Sequence, residues 1–257
     1  MPAWQTASAV FFVYLGIVAA LLPRLTAERR RLACTGAIIG VIVVAGARTS
    51  PHKILDDWIV PPALLLLGYW TSGLLFVAPM PHAERPLLAL DRILRVRRIA
   101  ASLPQPVTEG LEVAYMAVYP VVPIALAVHL TRTPDPDAGR FWSVILITDY
   151  VCFGMLPWVQ TRPPRAIERE PPWRSSFRRL NLRLLGEASI HANTFPSGHA
   201  AEALAAALMV AGAGPLPVAG MFLMALAISS GAVLGRYHYA ADALAGWMVA
   251  LAVWWLM

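Results

Sequence analysis

The sequence predicts an all-α fold, a polytopic helical membrane bundle of about eight spans (range 6–8). Three observations carry this. Of 257 residues, 58% are hydrophobic and only 14% charged, whereas a soluble domain carries roughly a quarter charged residues. The mean hydropathy is +0.60. The apolar residues also gather in runs close to the ~20 residues that a helical crossing needs.

Eight runs qualify: 4–22, 32–47, 58–78, 109–130, 141–160, 196–213, 217–235 and 238–257. The second and sixth are short and call for little tilt or for help from flanking residues. Trp4, Trp58, Trp142, Trp158, Trp254 and Trp255 lie near run ends, where amphipathic rings favour the membrane interface. The first run lacks a basic leader and a small-residue cleavage site, so it reads as a span rather than a cleaved signal. Cys34 and Cys152 sit in separate apolar runs, which argues against a disulfide framework. No inserted soluble domain and no internal repeat is visible. The chain therefore reads as a single integral-membrane domain over 1–257. Residues 1–108 hold the N-terminal spans and a basic connection, and 109–257 the core spans.

Two connections are long. Residues 81–104, "PHAERPLLALDRILRVRRIAASLP", alternate Leu or Ile with Arg at near-helical spacing, the pattern of an interfacial amphipathic helix on an anionic surface. Residues 161–195 read as a loop with seven arginines and the proline-rich turns "TRPPR" and "REPPW"; a loop this long in a compact protein is usually functional. The net charge of +6 rests on twenty arginines and the single Lys53. Arginine grips phosphate with a planar fork, but a GC-rich genome enriches it equally, so composition alone does not establish phosphate binding.

Three stretches carry chemistry, and each lies at the water-facing end of a span. They are "QTRPPRAIERE" after the fifth run, "FPSGH" at the start of the sixth, and "GRYHYAADALAG" between the seventh and eighth. Span parity brings all three to one face of the membrane. In "FPSGH", Pro196 suits a first helical turn. Ser197 offers a hydroxyl, and Gly198 lets backbone N–H groups approach a ligand at a helix N-terminus, a ready anion site. His199 is in the same turn, within reach to hand over a proton. A Pro-Ser cap beside an interfacial His would look the same in isolation. His238 and Asp242 are four apart and share a helical face. A carboxylate on one ring nitrogen fixes the tautomer and frees the other nitrogen as a nucleophile. Arg236 adds a cation beside it. Glu202 and Asp149 also lie inside runs, where ionisable groups are rare and usually functional. Glu202, three residues after His199, is placed to orient it, and Asp149 to make a polar contact in the bundle. His52, His82, His129 and His191 read as interfacial or loop histidines without metal-ligand spacing, so no metal and no cofactor is expected.

These residues resemble the type 2 phosphatidic acid phosphatase superfamily. Its pattern is Lys-x6-Arg-Pro, Pro-Ser-Gly-His and Ser-Arg-x5-His-x3-Asp. The second part is complete at 196–199, the first keeps Arg162-Pro163, and the third keeps His238 and Asp242; the likeness runs from about Phe141 to the C-terminus. The resemblance implies that His238 attacks phosphorus with Asp242 orienting it, and that His199 protonates the leaving alcohol. It gives Arg162, Ser197, the Gly198 amide and an arginine of the third motif to the phosphoryl oxygens, without a metal. The sequence departs from the pattern at Met155, where the family has Lys, and at Gly231 and Ala232, where it has Ser-Arg. Arg165 or Arg169 is placed to replace the first cation and Arg236 the second. The forms "RYHYAAD" and "RPP" look more like the inositol phosphorylceramide synthase-like branch, which transfers phosphate groups to alcohols.

The expected function is thus a membrane lipid phosphatase in the inner (plasma) membrane. The expected substrate is an anionic phospholipid or isoprenoid phosphate, with no nucleic-acid partner. A lipid phosphotransferase and a non-enzymatic transporter are the alternatives. Sidedness divides the two lines of reasoning. The family usually faces the periplasm or lumen. The loops at 24–31 and 79–108, on the motif side, carry nine arginines against Arg48, Lys53, Arg132 and Arg140 opposite, which by the positive-inside rule points to the cytoplasm.

Overall fold

The computed structural model describes residues 2–49 and 54–257; His52 and Lys53 lie outside the described residues. The described residues form thirteen α-helices and no strand. In order these are α1 (Ala3–Leu21), α2 (Ala27–Thr49), α3 (Val60–Gly73), α4 (Pro81–Ile93), α5 (Val96–Ser102), α6 (Gln105–Met116), α7 (Val118–Arg132), α8 (Ala138–Gly154), α9 (Pro164–Ile167), α10 (Ser176–Ala188), α11 (Gly198–Met209), α12 (Pro215–Leu234) and α13 (Ala240–Leu256), with one π turn at Leu55–Ile59 leading into α3.

Helix α11 is the axis of the bundle. Its Ala200, Ala201, Ala203, Ala205, Ala206 and Ala207 are all fully buried, and α7, α8, α12 and α13 surround it. Small side chains suit this place, because helices in lipid associate through close van der Waals packing rather than through the hydrophobic effect. The tightest crossing is with α13. A Cβ on Gly246 would stand 2.5 Å from the Ser197 carbonyl oxygen, so only glycine lets α13 cross the start of α11 here.

The N-terminal helices form a wall against α8. The Trp4 amide donates to Ser143 Oγ at 2.9 Å, the Ser8 and Tyr150 hydroxyls bond at 3.0 Å, and the Phe11 and Tyr150 rings stack at 4.0 Å. Helix α2 packs on α1 and α3. The outward faces stay apolar: Leu244, Met248, Leu251 and Trp255 are exposed along one side of α13, as are Val10, Val13 and Ile17 on α1 and Ile38 and Ile42 on α2. Such broad exposed apolar faces are those of a membrane protein.

The eight apolar runs all contain helix, but not eight uniform crossings. Among the described residues, α1, α2 and α12 are long and apolar enough to span a membrane, and the bent pair α6–α7 makes a fourth if counted as one span. That pair turns by 64° because Pro120, just inside α7, has no N–H to return to the Met116 carbonyl. The second run is longer than expected, since α2 starts at Ala27. The third, fifth and sixth are cut short at Gly73, Gly154 and Met209.

Both long connections contain helix. Residues 81–104 hold α4 and α5, broken at Arg95, whose φ of 53° is left-handed. Residues 161–195, expected to be a loop, contain α9 and α10. Helix α10 escapes a hydrophobic-periodicity search because it buries Arg178 and Asn181 beside Leu185.

Replacing Gly246 with Ala is expected to cost about 1–3 kcal/mol by overpacking. The thermal midpoint of purified Gly246→Ala should fall clearly below that of Gly220→Ala, a site where a Cβ meets nothing within 4 Å. Equal midpoints would contradict the packing.

Candidate active site

The three motif stretches meet at one end of the bundle, tied by short backbone bonds. The Asn193 amide donates to the Thr161 carbonyl at 2.9 Å, the Ser197 amide to the Asp242 carbonyl at 3.0 Å, and the Arg165 amide to the Arg236 carbonyl at 2.9 Å. The connection after α3 joins the same end, with the Met80 amide donating to the Gln160 carbonyl at 2.7 Å.

Two imidazoles face each other there. The rings of His199, in the first turn of α11, and His238, in the loop before α13, lie 5.6 Å apart between centroids. Asp242 Oδ2 is 3.4 Å from His238 Nδ1 and accepts the Tyr239 amide at 3.0 Å. Asp242 is thereby fixed by the backbone of the loop it serves, and holds Nδ1 while Nε2 remains the free nitrogen. His199 stacks on Tyr115 at 5.5 Å, and Tyr115 stacks on Tyr237 at 4.0 Å. The guanidinium groups of Arg165 and Arg178 sit 5.3 and 5.2 Å from the Tyr237 ring centre. This column carries rigidity from the loop to the His199 ring.

The arginines divide by their partners. Arg162 grips Glu84 with its amide at 2.9 Å, Nε at 3.0 Å and Nη2 at 2.8 Å, yet its side chain stays 41% exposed and its Nη1 group makes no hydrogen bond among the described residues. The Arg162 hydrogen bond holds the Glu84 carboxyl below its ordinary range, against the opposing effect of burial, and Glu84 in turn raises Arg162. Arg236 departs from expectation. Rather than standing open to a ligand, it is 1% exposed and clamped by Asp91 at 2.6 Å and Glu168 at 2.7 Å. Arg165 has no carboxylate at ion-pair distance among the described residues, and its Nη1 donates to the Tyr237 carbonyl at 3.5 Å, beside His238 in the chain. It is therefore the cation best placed for an anion between the imidazoles. Met155, where a lysine was looked for, ends α8 as an exposed apolar cap.

Ser197 and Gly198 are engaged locally. The Ser197 hydroxyl caps α11 by accepting the Ala200 amide at 3.3 Å, and the Gly198 amide donates to Thr194 Oγ1 at 3.3 Å. These are long bonds, and weak ones by distance. Glu202 lines an apolar cavity of about 390 Å³ that opens beside Gly198 and His199 between α3, α7 and the end of α10. Asp149 is buried, with neither carboxyl oxygen hydrogen-bonded. Of the remaining histidines, His129 binds the Met209 carbonyl at the far end of α11.

Sequence reasoning missed the acids that hold this end together. Glu112 accepts Arg178 Nη1 at 3.0 Å, Trp173 Nε1 at 2.8 Å, Asn181 Nδ2 at 2.6 Å and the Tyr237 hydroxyl at 2.6 Å. A carboxylate inside the fourth apolar run was the available signal. Glu84, Asp91 and Glu168 gave none, since they read as ordinary charges of polar connections.

Residues 138–257, from α8 to the C-terminus, match the PAP2 superfamily. No curated protein and no solved structure matches the chain.

The Glu84–Arg162 pair should make stability pH-dependent. Because the folded carboxyl titrates low, the pair stabilises fully above the unfolded value of about 4.3 and loses its effect as pH falls through the folded value. The gap in thermal midpoint between the natural protein and Glu84→Gln should therefore close with acidification. A gap unchanged down to the most acid condition tolerated would contradict the assignment.

Proposed function

Because residues 138–257 belong to the PAP2 superfamily, whose members are phosphatases or related phosphotransferases of phosphate esters, we propose that this membrane protein is a lipid phosphatase. It acts on a lipid phosphomonoester or diphosphate through a phosphohistidine. One observation carries the reading: His199 and His238 face each other at 5.6 Å beside an apolar cavity of about 390 Å³. The imidazoles suit a phosphate and the cavity suits the chain attached to it.

In the first step His238 Nε2 forms a bond to phosphorus as the P–O bond to the lipid alcohol, or in a diphosphate to the lipid monophosphate, breaks, and His199 protonates the departing oxygen. Asp242 orients His238 and stabilises the positive charge that its ring acquires. In the second step His199 takes a proton from water, the water oxygen bonds to phosphorus, and the P–N bond breaks to release phosphate and neutral His238. Splitting one hard displacement into two is the gain from covalent catalysis. Phosphoryl transfer otherwise needs positioning and neutralisation of negative charge. Arg165 and the free Nη1 group of Arg162 supply the charge, and Ser197 and the Gly198 amide turn from their weak local bonds to the phosphoryl oxygens. Arg236 serves this cradle by holding the His238 loop in place.

The chain would reside in the inner membrane as a multi-pass protein of about eight crossings, with the shorter helices of 109–257 forming the core and lipid reaching the cavity sideways. The "RYHYAAD" and "RPP" forms support a second reading, in which an alcohol replaces water in the second step.

Phosphorus NMR of the purified protein with a mixed lipid phosphate panel, alcohol acceptors and EDTA tests both readings. Free phosphate should appear with the natural protein and fall by at least about a thousandfold in His238→Ala. A new phosphate monoester of an acceptor alcohol moves the protein to the transferase reading, and neither product across the panel refutes both.

A further inference from the structure

A cationic cavity, distinct from the apolar one beside His199, has Arg236 in its lining. It measures about 500 Å³ and is lined by Arg92, Arg95, Arg97, Arg98 and Arg236 together with Asp91 and Glu168. Both acids are committed to Arg236, and Glu168 also meets Arg97 at 3.4 Å. Five cations against two anions leave three positive charges uncompensated. Arg92, Arg95 and Arg98 are exposed and have no side-chain partner among the described residues. The left-handed turn at Arg95 ends α4 and starts α5, so that arginines from both helices reach one cavity. A non-glycine residue meets steric resistance in that conformation.

We propose that this cavity is a second anion site, separate from the facing histidines, that takes a phosphomonoester or diphosphate group. Three surplus guanidinium forks match the charge and the several oxygens of such a group, whereas a singly charged phosphodiester would leave two unmatched. Ile93, Leu94 and Ile99 stand exposed beside the arginines, an arrangement that suits a phosphate borne by a lipid at the bilayer surface. Arg236 joins the two sites. It forms part of this cavity's floor and lies two residues from His238, while Asp91 accepts the Ala240 amide at 3.0 Å. An anion held here therefore meets Arg236 and Asp91, the pair that anchors the loop carrying His238.

The test compares the natural protein with the triple variant Arg92→Gln, Arg95→Gln, Arg98→Gln, none of which belongs to the histidine site. One arm titrates methylenediphosphonate, a diphosphate that cannot be hydrolysed. The other follows a spin-labelled phosphonate analogue of phosphatidic acid in phosphatidylcholine nanodiscs. Affinity should weaken by roughly fivefold for each arginine removed, and the triple Arg→Lys variant, which keeps the charges but not the forks, should recover only part of it. Weakening in both arms assigns the site to the phosphate group itself, and weakening in the nanodisc arm alone assigns it to the lipid-borne form. Equal affinity of natural protein and triple glutamine variant in both arms, with unchanged helical circular dichroism, would overturn the proposal by leaving all binding to the histidine site.

Discussion

The crossing of α13 over the first turn of α11 is the contact on which the rest of the active end depends. Gly246 leaves room for the Ser197 carbonyl, and the Ser197 amide closes the contact on the Asp242 carbonyl. Those neighbours explain why the contact matters. Ser197 starts the helix whose first turn holds His199, and Asp242 lies in the first turn of the helix that follows the His238 loop. One backbone contact therefore sets the separation of two imidazoles that are 39 residues apart in sequence. The Tyr115 and Tyr237 stack then fixes the ring plane of His199 from the side.

Charge compensation shapes what surrounds the pair. An arginine taken out of water without a partner is costly, and a buried ion pair recovers that cost only with good geometry. Arg178 and Arg236, the two most buried of the set, meet this condition through Glu112 and through Asp91 with Glu168. Each such pair also ties a surface helix to the core, joining α10 to α6 and α4 to the His238 loop. Arg162 keeps its Nη1 group free despite Glu84, and Arg165 keeps its whole charge. The same rule thus sorts arginines into those that hold the fold and those available to a ligand.

Much of this was legible in the sequence. Helical class followed from apolar run length, which depends on local spacing alone; the three motifs do meet at one end, but the eight crossings whose parity predicted it are not all long and apolar enough to span. The helical repeat pointed to the pairing of His238 with Asp242, but His238 lies in the loop before α13 and the contact is made across the cap of that helix rather than along its face. Helix ends were less legible. Residues 155–160 are apolar enough to extend a span, yet α8 stops at Gly154 so that the chain can turn toward Arg162. The fate of Arg236 was not legible at all, since its partner Asp91 is 145 residues away in a stretch that reads as an interfacial amphipathic helix. Helix α10 was hidden for the opposite reason: its inner face is polar, and periodicity searches look for apolar faces.

The covalent intermediate is the most direct measure of the mechanism. Protein incubated briefly with a lipid carrying labelled phosphorus, then quenched in alkali, should retain a label that is stable to base and lost in acid. Peptide mapping by mass spectrometry should place that label on His238 and on no other residue, with more of it accumulating in His199→Ala when the alcohol is a good leaving group. Turnover without any base-stable label, or a label on another side chain, would contradict attack by His238.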